Sequence, residues 1–154
     1  MQLICRLLGL LGISLLLGTA LPAQNRVEDP GVQRRMTTMQ TARDAVNSLA
    51  AMMANQMMFR KSHARTAKRE LVKATSEIPD VFRKRHIDPL SNAKTSIWGN
   101  WSDFEARAKA ANKAAKELNA RSLNGLRKTL PELMHTCLAC HKTYRTPRKM
   151  VITH

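Results

Sequence analysis

The stretch LNGLRKTLPELMHTCLACHKTYR, residues 123–145, decides how this chain folds. Leu123, Leu126, Leu130, Leu133, Met134, Cys137, Cys140, His141 and Tyr144 recur in it at steps of three and four. That is the spacing of one face of an α-helix, here beginning near Ser122. Pro131 lies inside the stretch and predicts a kink or a fresh helical start. At about 100° per residue, Cys137, Cys140 and His141 fall within an arc of roughly 100° on the face that the leucines bury.

A helix with one apolar face needs partners, and the preceding sequence supplies three. Upstream, a third segment opening at Thr95 or Ser96 carries Ile97, Trp101, Phe104, Ala108, Ala111, Ala115 and Leu118 in an unbroken three-to-four seam, the period of helices packed nearly parallel. A second runs from about Ser62 to Ile78 on Ala64, Ala67, Leu71, Ala74 and Ile78, with Pro79 expected to stop it. The first starts at "DPG", where Asp29 can cap and Pro30 can take the first helical position. Its seam reads Val32, Arg35, Met39, Ala42, Val46, Leu49 and Met53. The first two helices are expected as neighbours in a hairpin. At 154 residues and only 4% aromatic, without alternating β-branched runs, the chain reads as one all-α domain, an antiparallel four-helix bundle spanning 24–154.

Residues 1–23, MQLICRLLGLLGISLLLGTALPA, read as a secretory signal peptide: Arg6, an apolar run from Leu7 to Leu17, then small residues before a cleavage point after Ala23. The run falls short of the roughly 20 residues that span a bilayer, so no stable membrane insertion is expected after cleavage. Cys5 leaves with the signal, and only Cys137 and Cys140 remain. The formal charge of +15 loses one positive charge with Arg6 and becomes +14. Such a surface attracts acidic partners. Export to the periplasm argues against nucleic acid.

The Cys137-x-x-Cys140-His141 pattern admits three chemistries. A zinc site needs two further ligands, and His63, His86, His135 and His154 offer no second Cys pair or paired histidines. A thioredoxin-like dithiol opens a helix that follows a strand, whereas this pair sits late in a helix. A haem uses the convergence directly: the thiols add across its vinyl groups while the imidazole reaches the iron. One covalently attached haem c is the expected cofactor.

"CLACHKTYR" at the end of a last helix resembles the class II c-type cytochromes, the cytochrome c-prime family. "IPDVF", residues 78–82, resembles that family's LP-x-x-F, and "SIWGNWSDF", residues 96–104, resembles its IW followed by Phe. The likeness covers residues 29–146. It implies a haem held by Cys137 and Cys140, with His141 as one axial ligand of the iron. In one branch of the family an apolar first-helix residue covers the sixth position and the iron takes small gases. In the low-spin branch a first-helix Met binds instead. Matching "GVQRRMTTM" to the family pattern places Met39 there, with Met36 beside it, and an open gas-accessible site is the remaining option.

Three further residues belong to the expected haem environment. Arg35, one turn before Met39 on the seam, calls for an anion such as a haem propionate, or else carries its charge to the bundle end. The family has an Arg at this position, and also at Arg145, which lies one turn after His141. Tyr144 is expected against the haem or the bundle, with its hydroxyl near solvent. His63 and His86 read as solvated.

With His141 and Met39 both bound, the iron could take no substrate, so the expected function is electron transfer by a His/Met-ligated carrier that is not an enzyme. Its partner would be an acidic redox protein meeting it in a weak, transient contact. The alternative is a five-coordinate cytochrome c-prime that binds nitric oxide or carbon monoxide. Family members often pair through their first two helices, and Ala51 to Phe59, "AMMANQMMF", offers an apolar contact for such a homodimer.

Overall fold

A computed structural model describes residues 26–147; the stretch 1–23, expected to be a signal peptide, and the basic tail after Pro147 lie outside the described residues. The described chain forms α1 (Pro30–Met53), α2 (Lys61–Phe82), a short α3 (Ser96–Gly99), α4 (Trp101–Glu117) and α5 (Leu123–Tyr144). The four long helices make the antiparallel bundle. α1 packs chiefly on α2, α2 on α4 and α4 on α5, and α1 meets α5 less extensively. Among the described residues no helix is long and apolar enough to cross a membrane.

Local chemistry sets the helix starts. Asp29 Oδ1 accepts from Val32 N at 2.8 Å, and Pro30 enters without an N–H to satisfy. Ser122 accepts from Gly125 N at 3.0 Å and opens α5. α1 ends at a reversal in which Asn55 takes the left-handed conformation, φ 57°, and Gln56 and Met57 donate back to the Ala51 carbonyl.

Two apolar clusters fill the bundle. The larger joins Leu49 and Met52 of α1, Leu71 of α2, Ala115 of α4 and Leu126, Leu130 and Leu133 of α5, all essentially inaccessible. Each leucine so buried contributes about 1.5–3 kcal/mol. The second lies at the Cys140 end and holds Ile78, Phe82, Ile97, Phe104, Ala108 and Tyr144, with Met39, Trp98, Trp101 and Cys140 packed against it.

Three details depart from the sequence reading, and one choice that it left open narrows. Pro79 does not stop α2, which continues to Phe82. The missing N–H and the ring cost about 3 kcal/mol in a helix interior. Here the last turn is held by burial of Phe82 on Phe104, ring centroids 5.1 Å apart, and by the Trp98 indole, which donates to the Phe82 carbonyl at 2.9 Å. The third segment is not one helix, because Asn100, φ −121° and ψ 46°, breaks it. That break lets Ile97 and Phe104 enter the same cluster from two directions. Of the two outcomes expected at Pro131, the fresh start does not occur, since α5 runs through it as one helix. Along α1 the fully buried line is Val32, Arg35, Thr38, Ala45, Leu49 and Met52. Met39, Ala42, Val46 and Met53 form its half-buried flank, because a bundle helix packs on two neighbours at once.

Backbone bonds pin the α2–α3 connection to the end of α5. Lys94 N donates to the Tyr144 carbonyl at 2.9 Å, Thr146 N donates to Asn92 at 2.8 Å, and Ala93 bridges Arg145. Asp88 ties the same connection to the start of α1, accepting from the amides of Glu28 and Leu90.

Candidate haem site

The last two turns of α5 present Cys137, Cys140 and His141 half-buried on the bundle side, while Leu138 between them is 63% exposed. Both thiols are free. Burial pushes the Cys137 thiol up, and burial likewise pushes Cys140 up to about 11. Both are therefore neutral thiols near pH 7, the opposite of the poise of an exchanging dithiol. Burial, helped by the nearby Arg145 charge, lowers His141 and keeps its imidazole neutral, with a nitrogen lone pair free to bind a metal. Among the described residues no three His, Cys, Asp or Glu side chains gather to hold a metal ion by themselves.

Arg35 is the unusual group at this end of the bundle. It is 3% exposed, and its guanidinium lies over the Phe82 and Trp98 rings at 5.1 and 5.3 Å. Nη2 donates to the His86 carbonyl at 2.7 Å, yet Nε and Nη1 are buried without a partner. Burial lowers its pKa. The snorkelling alternative is thereby set aside, since the charge stays inside. His86 is not simply solvated either: its Nδ1 lies 3.1 Å from the Asp29 carboxylate, and its ring covers Gly31 so closely that a Cβ there would sit 2.4 Å from it.

Tyr144 is 4% exposed and packs edge-on against Phe104, centroids 5.4 Å apart. Its hydroxyl is not left to solvent as expected, but donates to Asp103 Oδ2 at 2.5 Å. Burial and this bond push its pKa up to about 12. Arg107, 2.7 Å from Asp103, and the Tyr144 bond hold the Asp103 carboxyl low. Arg145 is exposed, one turn past His141. Met39 joins the cluster that contains Cys140, whereas Met36 is 47% exposed. His63 is exposed as expected.

Sequence reasoning thus gathers Arg35, Met39, Cys140 and Tyr144 at one end of the molecule, and the structure adds Phe82, Trp98, Asp103 and His86 around them. Phe82 and Trp98 lay within "IPDVF" and "SIWGNWSDF", so their signal was present in the sequence. Nothing in the spacing marked Asp103 or His86.

A bundle whose last helix ends in Cys-x-x-Cys-His defines a class II c-type cytochrome. The chain belongs to the cytochrome c′ family, whose model, described as "Cytochrome C'", matches residues 31–145. Its cofactor is one covalently attached haem c, and Cys137, Cys140 and His141 fit the attachment motif. The residues present suit that group on their own terms: two uncharged thiols and a neutral imidazole on one helical face, and two unpaired guanidinium nitrogens able to meet an anion. Cytochrome c′ from Rhodobacter Spheriodes is 22% identical, with a TM-score of 0.70 over 77% of this chain and 96% of that one. Cytochrome c′ from Shewanella frigidimarina is 18% identical, with a TM-score of 0.71 over 79% and 100%. A ferrous variant of the Alcaligenes xylosoxidans protein, with bound NO, is 16% identical, with a TM-score of 0.68 over 77% and 94%. At these identities the likeness is one of fold. No curated protein sequence matches the chain.

Proposed function

We propose that this is an exported, periplasmic monohaem cytochrome c′ that takes a small gas, nitric oxide or carbon monoxide, on the iron face opposite His141. Membership of the family, together with an NO-bound neighbour of the same fold, is the observation that carries this reading. Haem bound here supplies an iron that exchanges one electron and accepts a gas. Cys137 and Cys140 would hold it through thioether bonds, each S–H adding across a vinyl group with sulfur and hydrogen both retained. His141 would supply a ring nitrogen to the iron. Arg35, held by the His86 carbonyl and the Phe82 and Trp98 rings, would offer its two unpaired nitrogens to a propionate. Met39, packed on the same cluster as Cys140, would lie close to the iron, and its unbranched side chain could give way to a diatomic molecule.

One observation favours a second reading, electron transfer by a closed His/Met site. Met39 is the α1 methionine packed in the cluster with Cys140, and a thioether there is itself a competent ligand. In that case the basic surface would meet an acidic redox protein and the chain would not be an enzyme. In either case the α1–α2 end, where Met57 and Met58 are exposed, would supply the contact of a homodimer.

Adding carbon monoxide to the dithionite-reduced protein separates the readings. A shifted Soret band is expected for the gas-binding protein, and an unmoved one supports the closed electron carrier. A preparation from a haem-attaching host whose cysteines carry no thioether links would overturn both.

A further inference from the structure

At the end of the bundle remote from the cysteines lies a cavity of about 590 Å³ between the first turns of α2 and the α4–α5 turn. Arg65 precedes Phe82 by 17 residues, about 25 Å along α2. Lys61, Arg65, Lys68 and Arg121 line the cavity against one carboxylate, Glu117. Its apolar lining comes from Leu118 and Ala120, which are themselves buried. Lys68 Nζ is anchored, donating to the Lys116 carbonyl at 2.7 Å. Among the described residues the side chains of Lys61, Arg65 and Arg121 make no ion pair and no hydrogen bond, although Arg43, Arg83, Arg107 and Lys109 each find a carboxylate elsewhere on the surface.

Lys61, Arg65 and Lys68 follow one another at steps of four and three, so they share a face of α2. Like charges at that spacing destabilise a helix by a few tenths of a kcal/mol per pair, so the arrangement does not serve stability. A concave surface lined by four cations against a single carboxylate focuses a positive potential inward and concentrates anions. The volume falls within the range of small-molecule sites and is far larger than a single chloride needs.

We propose that this cavity binds a small multivalent oxyanion of the phosphate class, held by Lys61, Arg65 and Arg121 with Lys68 adding fixed charge. The site is independent of whatever binds the iron. The phosphate can belong to a soluble molecule or to a lipid headgroup.

The test is calorimetric titration of the haem-loaded protein with pyrophosphate at constant ionic strength. One saturable site per chain is expected. Arg65→Gln and Arg121→Gln should each weaken it about tenfold, the scale of one charge-assisted hydrogen bond. Lys73→Gln, an exposed cation of α2 outside the cavity, should leave it unchanged, and the haem spectrum should not move. Co-sedimentation with vesicles of anionic phospholipid that pyrophosphate abolishes would support the site with a lipid as source. Saturable titration without sedimentation would support it with a soluble one. Heat that never saturates, or equal weakening by Lys73→Gln, would reduce the effect to diffuse screening and overturn the proposal.

Discussion

The Arg35 guanidinium donates to the His86 carbonyl through one nitrogen and keeps two others buried and unpaired beneath α1. A buried cation in that state needs an anion. In the haem-loaded protein, Arg35→Met is expected to destabilise by about 3–5 kcal/mol, because it strands the anionic partner. In a Cys137→Ser/Cys140→Ser background, purified free of haem, the same substitution should cost far less or nothing. Urea denaturation of the four proteins measures both differences, and equal costs would show that Arg35 meets no haem propionate.

Gly31 and His86 occupy one another's space. A Cβ at position 31 would lie 2.4 Å from the His86 ring. Gly31→Ala should therefore destabilise by about 1–3 kcal/mol, although alanine is the better helix former by about 1 kcal/mol. Adding His86→Ala should recover most of the loss relative to His86→Ala alone. Thermal melts of the single and double variants check this, and a stabilised Gly31→Ala would contradict the close packing.

Tyr144 is the only tyrosine in the chain. Its phenol should titrate near 12 in the folded protein, against 10.0 for an ordinary tyrosine. The folded state thus retains a proton that the unfolded state releases. The stability due to this group is complete below pH 10 and is lost as pH rises through 12. Ultraviolet difference spectra at the tyrosinate band follow the midpoint, which should fall in Asp103→Asn because the carboxylate that receives the hydroxyl proton is gone. An ordinary midpoint in the native protein would remove the case for the Tyr144–Asp103 bond.

Met39 and Met36 differ by less than one turn, yet only Met39 joins the inner cluster. Met39→Ala should raise the affinity of the reduced protein for carbon monoxide, modestly if the methionine merely covers the iron and by orders of magnitude if it is bound there. It should lower the potential only in the second case. Met36→Ala should change neither. Potentiometry with carbon monoxide titration distinguishes these outcomes, and a Met36 effect larger than that of Met39 would reverse the assignment.

The bundle was readable because its signals are local. Asp29-Pro30 and Ser122 mark helix starts by capping chemistry, and the leucines of α5 keep one helical period from Leu123 to Leu133. Pro79 misled because the bond from the Trp98 indole and the burial of Phe82 that sustain the last turn of α2 come from distant parts of the chain. Asn100 was invisible because an asparagine within a three-to-four seam gives no sign that the backbone must turn there. The attachment motif was legible down to its residues, since the spacing of Cys137, Cys140 and His141 is itself the geometry. The aromatic shelf under Arg35 and the acceptor for Tyr144 were not, because both are products of packing between helices.

Trp98 and Trp101, the chain's only two tryptophans, both pack on the cluster that includes Cys140. A porphyrin fixed there would absorb their excitation, leaving the native molecule almost dark in the ultraviolet and bright once its helices separate. Such a molecule would contain its own optical gauge of denaturation, placed at the cofactor end.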